Sequence, residues 1–262
     1  MLRRPDPRDN PGTVLAAVTF GLLAFLAPPP PTAPAPAPVL AAPAPAEPAA
    51  LPVQEVVSIH ARPVVLSAGD QRDSTRRTVS LTFDDGPDPH WTPQVLELLR
   101  RHEAVATFCV VGSQVRKYPE LLGDIVEAGM RLCNHTRTHP ADLTLAPVLQ
   151  PRSEIVGARA DIAGAADAPV AYFRAPGGHW SPAVLELAAA NGMQPLGWSV
   201  DLRDWEQPGA EAILATLEQH VTSGAVILLH DGGGNRAQTV QALEVILPWL
   251  HDEGYRFTFP TP

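Results

Sequence analysis

Cysteine is scarce in this chain: 262 residues hold two, Cys109 and Cys133. Two are too few for a disulfide scaffold, and both readings stay open, one bridge in an oxidising compartment or two buried thiols. Positive charge is also short. Nineteen lysines and arginines face 28 acids, a net charge of −9 with no basic stripe, which argues against nucleic acid as a partner. The uncharged run at 12–27 is shorter than the ~20 residues of a membrane span. No G-x-S-x-G elbow marks a serine nucleophile.

Proline is in excess. Many of the 30 prolines crowd into 28–52, "PPPPTAPAPAPVLAAPAPAEPAALP", a proline and alanine tract without glycine. Such a tract is a stiff, extended tether rather than a fold. Ahead of it, Arg3, Arg4 and Arg8 precede the apolar run at 12–27, the pattern of a secretory signal or signal anchor. A core helix would not lead into a proline tether. The expected layout is a signal at 1–27, a linker at 28–76 and a folded domain at 77–262. The location is then secreted or in the cell envelope, and any membrane anchoring runs through 12–27 alone.

From Arg77 onward short apolar runs alternate with helical patterns. The strand candidates are 78–83, 105–111, 130–134, 170–175, 194–200, 225–230 and 255–259. Helical spacing appears at 93–102, 119–129, 181–192, 209–221 and 239–254. Alternation of this kind means a parallel sheet, and seven strands approach a closed (β/α) barrel. In such barrels chemistry gathers at the carboxyl ends of the strands. The unusual polar residues sit there: Asp84 and Asp85 after the first strand, His135 after the third, Arg174 at the fourth, Asp201 and Asp204 after the fifth, His230 and Asp231 at the sixth.

"FDDGP" ends a strand on two adjacent carboxylates, an arrangement that is costly when buried unless something positive compensates. "NHTRTH" supplies His135 and His139, four apart, a spacing at which two imidazoles can share one side of a helical turn. Two histidines and a carboxylate form a common set for a catalytic divalent metal. One aspartate can then bind the cation while the other stays free as a base.

"TFDDGP", "HTRTH", "FRAPGG", "DLRDW" and "LLH" occur in the order and spacing of the polysaccharide deacetylase family, the NodB homology domain of carbohydrate esterase family four, which the chain resembles across 77–262. The resemblance implies a distorted (β/α) barrel and metal-dependent removal of acetyl groups from amino sugars or acetylated xylan. It implies Asp84 as general base and Asp85, His135 and His139 as ligands of one divalent metal, zinc first, cobalt or nickel as alternatives. Arg174 would orient Asp84, and Asp204 would hold the general acid His230. Gly177 would offer its N–H to the oxyanion, and Trp205 and Leu228 would line the acetyl pocket. Where the family carries a tyrosine, this chain has Gly177, which removes an aromatic wall from the sugar site. Cys109 stands where an aromatic is common and is read as packing. His90, His179 and Trp180 lie in loops that could line the groove.

The expected activity is N-deacetylation of N-acetylglucosamine in peptidoglycan or chitin-type oligomers by a monomeric, exported enzyme. An O-acetyl esterase acting on xylan and a catalytically silent glycan-binding module are the alternatives.

Overall fold

The computed structural model describes residues 77–145 and 149–261; the expected signal at 1–27 and linker at 28–76 lie outside them. The first strand, β1 (Arg77–Asp84), alternates by side. Val79, Leu81 and Phe83 enter a core under the helices, while Ser80, Thr82 and Asp84 face the other side. Strand geometry sends successive side chains to opposite faces, so one strand serves both layers.

The chain continues through α1 (Thr92–Arg101), β2 (Ala106–Val110), α2 (Gly112–Lys117), α3 (Pro119–Glu127), β3 (Arg131–Asn134), α4 (Leu149–Ala165), β4 (Val170–Phe173) and α5 (Pro182–Ala190). It then forms β5 (Gln194–Pro195), β6 (Val200–Asp201), α6 (Ala210–His220), β7 (Ala225–His230), α7 (Ala237–Asp252) and β8 (Tyr255–Phe257). Every paired strand is parallel to its neighbour, in the order β5-β4-β3-β2-β1-β7-β6, with β8 against the start of β1. Among the described residues no helix is long and apolar enough to cross a membrane.

Six of the seven expected runs each yield one strand, and the run at 194–200 yields two, so the sheet has eight strands. β5 pairs with β4 at one edge and β6 with β7 at the other. One short segment therefore reaches both edges of the curled sheet, and no ladder joins β5 to β6 within it.

The barrel interior holds Cys109, Cys133, Tyr172, Leu196 and Val226, with Trp198 packed on them. Cys109 and Cys133 are register partners on β2 and β3 and form a disulfide, so the free-thiol reading does not hold.

Two helices were not among the expected ones. α4 runs for 17 residues yet its buried apolar residues form a narrow stripe, Ile155, Ala158 and Ile162. α2 is a six-residue helix that starts on a glycine. Neither carries a broad apolar face, which is the signal sequence periodicity reads.

Candidate active site

Asp84 and Asp85 follow one another and each lies 3.6 Å from His135 Nε2, but Arg174 pairs with Asp84 alone and His139 with Asp85 alone. Asp84 ends β1 facing inward, and it is buried. Asp85 has a left-handed backbone, φ 75°, which turns its carboxylate away from its neighbour's direction. A non-glycine residue in that region is strained, and such strain gathers at functional sites. The turn after β7 makes room for it. A Cβ on Gly233 would stand 2.4 Å from Asp85 Oδ2, so only glycine fits there.

Arg174 is fully buried. Its Nη1 donates to Asp84 Oδ1 at 2.6 Å and to Thr82 Oγ1 at 2.9 Å. Its Nε and Nη2 donate to the carbonyls of Leu196 and Gly197 at 3.0 and 2.9 Å, in the break between β5 and β6. One guanidinium thus satisfies the seam of the barrel and fixes the carboxylate. Burial pushes Asp84 up, but Arg174 foremost, with His135 and His230, outweighs it and holds the carboxyl below its ordinary value. Asp84 is therefore ionised at neutral pH despite its burial.

His135, His139 and Asp85 offer three ligand atoms within 4.8 Å of one another. His135 Nε2 lies 3.6 Å and His139 Nε2 3.2 Å from Asp85 Oδ1, which is buried and accepts no hydrogen bond. A buried orphan carboxylate oxygen beside two imidazoles calls for a cation. His135 Nδ1 donates to the Arg174 carbonyl at 2.9 Å, which leaves Nε2 unprotonated and aimed into the cluster. Burial lowers the His135 pKa more than Asp84 and Asp85 raise it, and a neutral imidazole is the metal-binding form. The residues present fit a divalent ion of zinc type.

The two histidines do not share a helical turn, contrary to the spacing argument. Residues 135–139 form a loop in which Thr136 (φ 67°) and His139 (φ 56°) are left-handed.

Across the mouth, His230 Nδ1 donates to Asp204 Oδ1 at 2.7 Å. Asp204 Oδ2 accepts from the His230 N–H at 2.9 Å and from Thr239 Oγ1 at 2.8 Å. Burial pushes the His230 pKa down, but the hydrogen bond to Asp204 and its charge outweigh that and raise it. Imidazolium therefore persists above the ordinary histidine range.

Gly177 sits in a 3-10 turn with φ 61°. Leu228 is buried, two residues before His230 on the same side of β7. Trp205 is 48% exposed, so it is not core filling; the Arg203 guanidinium lies over its ring at 5.7 Å. Exposed His179 faces Asp142 at 3.5 Å, and exposed His90 packs edge-on against Trp91. Trp180 is half-buried and packs edge-on against core Phe173.

Sequence reasoning noted Asp231 at its strand end without giving it a role, and missed Glu154. Asp231 is fully buried, accepts from Thr92 Oγ1 at 2.5 Å, and has a pKa pushed up to about 7, by burial first and then by the charges of Asp85 and Asp84. Its place at a strand end was the available signal. Glu154 lies on α4, the helix that periodicity did not reveal, and its carboxylate meets the loop between the two histidines.

Residues 71–196 match the family model described as polysaccharide deacetylase. A peptidoglycan-N-acetylglucosamine deacetylase of Bacillus cereus is 40% identical over 191 residues, covering 70% of this chain and 86% of that protein. A chitooligosaccharide deacetylase of Sinorhizobium fredii is 41% identical over 189 residues, 68% and 87% respectively. Among solved structures, a peptidoglycan N-acetylglucosamine deacetylase bound to an N-oxidanyl-benzamide superposes with a TM-score of 0.69 at 31% identity, over 76% of this chain and 93% of that one. A family-four pseudoenzyme from Bacillus anthracis superposes with a TM-score of 0.65 at 27% identity, over 70% of this chain and 63% of its own. With this identity and coverage, on this barrel, the chain belongs to the polysaccharide deacetylase family.

Proposed function

We propose that this protein hydrolyses the N-acetyl groups of N-acetylglucosamine residues in a polysaccharide, peptidoglycan or chitin-type oligomers, releasing acetate. The observation that carries the reading is the division of the adjacent acids: Asp84 pairs with Arg174 at 2.6 Å, and Asp85 joins two histidines. A divalent metal held by Asp85, His135 and His139, zinc in this proposal, would lower the pKa of bound water to about 7 and polarise the acetyl carbonyl. Asp84, kept ionised by Arg174, takes the proton of the attacking water. The N–H of Gly177 faces the developing oxyanion. His230, kept protonated by Asp204, delivers a proton to the departing amine. Leu228 and Trp205 flank the acetyl methyl.

The raised pKa of His230 favours an amide over an ester. An amine leaves poorly unless it is protonated, whereas an alkoxide from a sugar ester needs less help. The pseudoenzyme neighbour means that the fold alone does not guarantee catalysis. What supports catalysis here is that Asp84 with Arg174, the Asp85, His135 and His139 cluster, and His230 with Asp204 are all present.

The residues at 1–76 put the catalyst outside the cytoplasm in this proposal. An arginine-led apolar run suits export or anchoring through 12–27, and the proline tether suits reach into a cell wall. The enzyme acts as a monomer.

The test is acetate release by the full chain from peptidoglycan, chitin oligomers and acetylated xylan, each with and without a chelator. Chelator-sensitive acetate with free amine as co-product is expected. Release from xylan alone would make the protein an esterase. No release with zinc, cobalt and nickel each supplied would leave a glycan-binding module.

A further inference from the structure

We infer that Glu154 is a positioning residue for the metal: from α4 it sets the shape of the 135–139 loop so that both imidazoles converge on Asp85. The inference rests on the metal site proposed above and adds a residue to it.

The loop has little reason to hold this shape by itself. It is not helical, and two of its five residues, Thr136 and His139, are left-handed. Within the loop, the His139 N–H donates to Thr136 Oγ1 at 3.1 Å. The rest of the restraint comes from outside. Glu154, 5% exposed, accepts at Oε2 from the N–H groups of Arg137 (2.9 Å) and Thr138 (2.8 Å). Its Oε1 accepts from Thr138 Oγ1 at 2.7 Å. All three donors lie between the two histidines. Such an anchor acts on backbone groups and so fixes direction rather than charge.

The neighbouring residues of α4 show the same fit. The carbonyl of Ile155 accepts from Asn134 Nδ2 at 2.8 Å, and Asn134 Oδ1 accepts the Thr136 N–H at 2.9 Å. One helical turn therefore grips the loop before His135 and after it. Gly157 lies in the interior of α4, where glycine is unfavourable. A Cβ there would stand 2.9 Å from Arg137 Cδ, so the helix surface is cut away where the loop crosses it.

His135 and His139 depend on this anchor unequally. The His135 side chain is 2% exposed and held through its own Nδ1, whereas that of His139 is 41% exposed. Loss of Glu154 should free His139 and spare His135.

The experiment is zinc titration of the chelator-treated full chain by calorimetry, with the visible spectrum of the cobalt-loaded protein as a second readout. Wild type and three variants, Glu154→Gln, Glu154→Asp and Glu154→Ala, are compared. Glutamine can present its oxygen to both N–H groups and its amide to Thr138 Oγ1 as acceptor, so affinity within a few-fold of wild type is expected. Aspartate keeps the charge but falls one methylene short, and both it and alanine are expected to weaken zinc binding about 10–100-fold, with an altered cobalt spectrum. Wild-type affinity in Glu154→Asp overturns the inference even if the alanine variant does not fold. Weakened binding in Glu154→Gln with wild-type affinity in Glu154→Asp overturns it in favour of a charge effect, and a loss in Glu154→Gln equal to that in Glu154→Ala overturns it because glutamine still reaches both N–H groups. Failure of the wild type itself to bind zinc or cobalt overturns the metal reading, and this inference with it.

Discussion

Asp84 and Asp85 are chemically identical and adjacent, and their environments give them opposite tasks. A buried guanidinium claims one; two imidazoles and an orphaned oxygen mark the other as a ligand. The same logic separates the histidines. Burial lowers the His135 pKa, whereas Asp204 raises that of His230. The rate should then be bell-shaped in pH, needing ionised Asp84 on the acid side and protonated His230 on the alkaline side. In Asp204→Asn the support that raises the His230 pKa is lost and burial dominates. We expect the alkaline limb of kcat/KM to move to lower pH with the acid limb in place, and kcat at neutral pH to drop about 10–100-fold. A pH profile of acetate release checks this, and an unmoved alkaline limb would dissociate Asp204 from the acid. Most of these residues were legible because strand ends in an alternating β/α chain collect polar groups. Glu154 was not, because its partners are backbone N–H groups, and no spacing in the sequence encodes a side chain that binds backbone.

At the scale of elements, the segment between β5 and β6 governs both stability and site. Its broken ladder leaves the carbonyls of Leu196 and Gly197 to Arg174, the same side chain that holds Asp84. The segment 194–200 reads as one strand on its apolar residues, although Pro195 and Gly197 within it are the marks of the break seen between β5 and β6. Arg174→Met should cost about 3–5 kcal/mol in urea unfolding at neutral pH, since it strands a buried carboxylate and two carbonyls. The Asp84 pKa is depressed by the pair, so that stability is present above the unfolded carboxylate range and is lost as pH falls through the folded value. The gap between wild type and variant should therefore narrow in acid. A loss below about 1 kcal/mol at neutral pH would show that the seam does not depend on Arg174. The helix reading of "HTRTH" failed for a related reason. The four-residue spacing fits a helical turn, but α4 supplies acceptors that hold the loop in another shape.

For the whole molecule, the barrel sets the ends of β1, β3, β4 and β7 around one mouth, and each brings one part of the proposed chemistry: base and ligand, ligand loop, orienting arginine, acid. That arrangement was legible as a fold class because parallel barrels gather function at one end. The central claim is that Asp84 acts on the substrate's water while Asp85 holds the metal. The most direct measurement is metal content and acetate release by the full-length Asp84→Asn protein loaded with zinc, beside Asp85→Asn. The account predicts that Asp84→Asn retains its zinc and loses about 10²–10⁴ of its activity, whereas Asp85→Asn loses the zinc. An Asp84→Asn protein that releases acetate at the wild-type rate would contradict it.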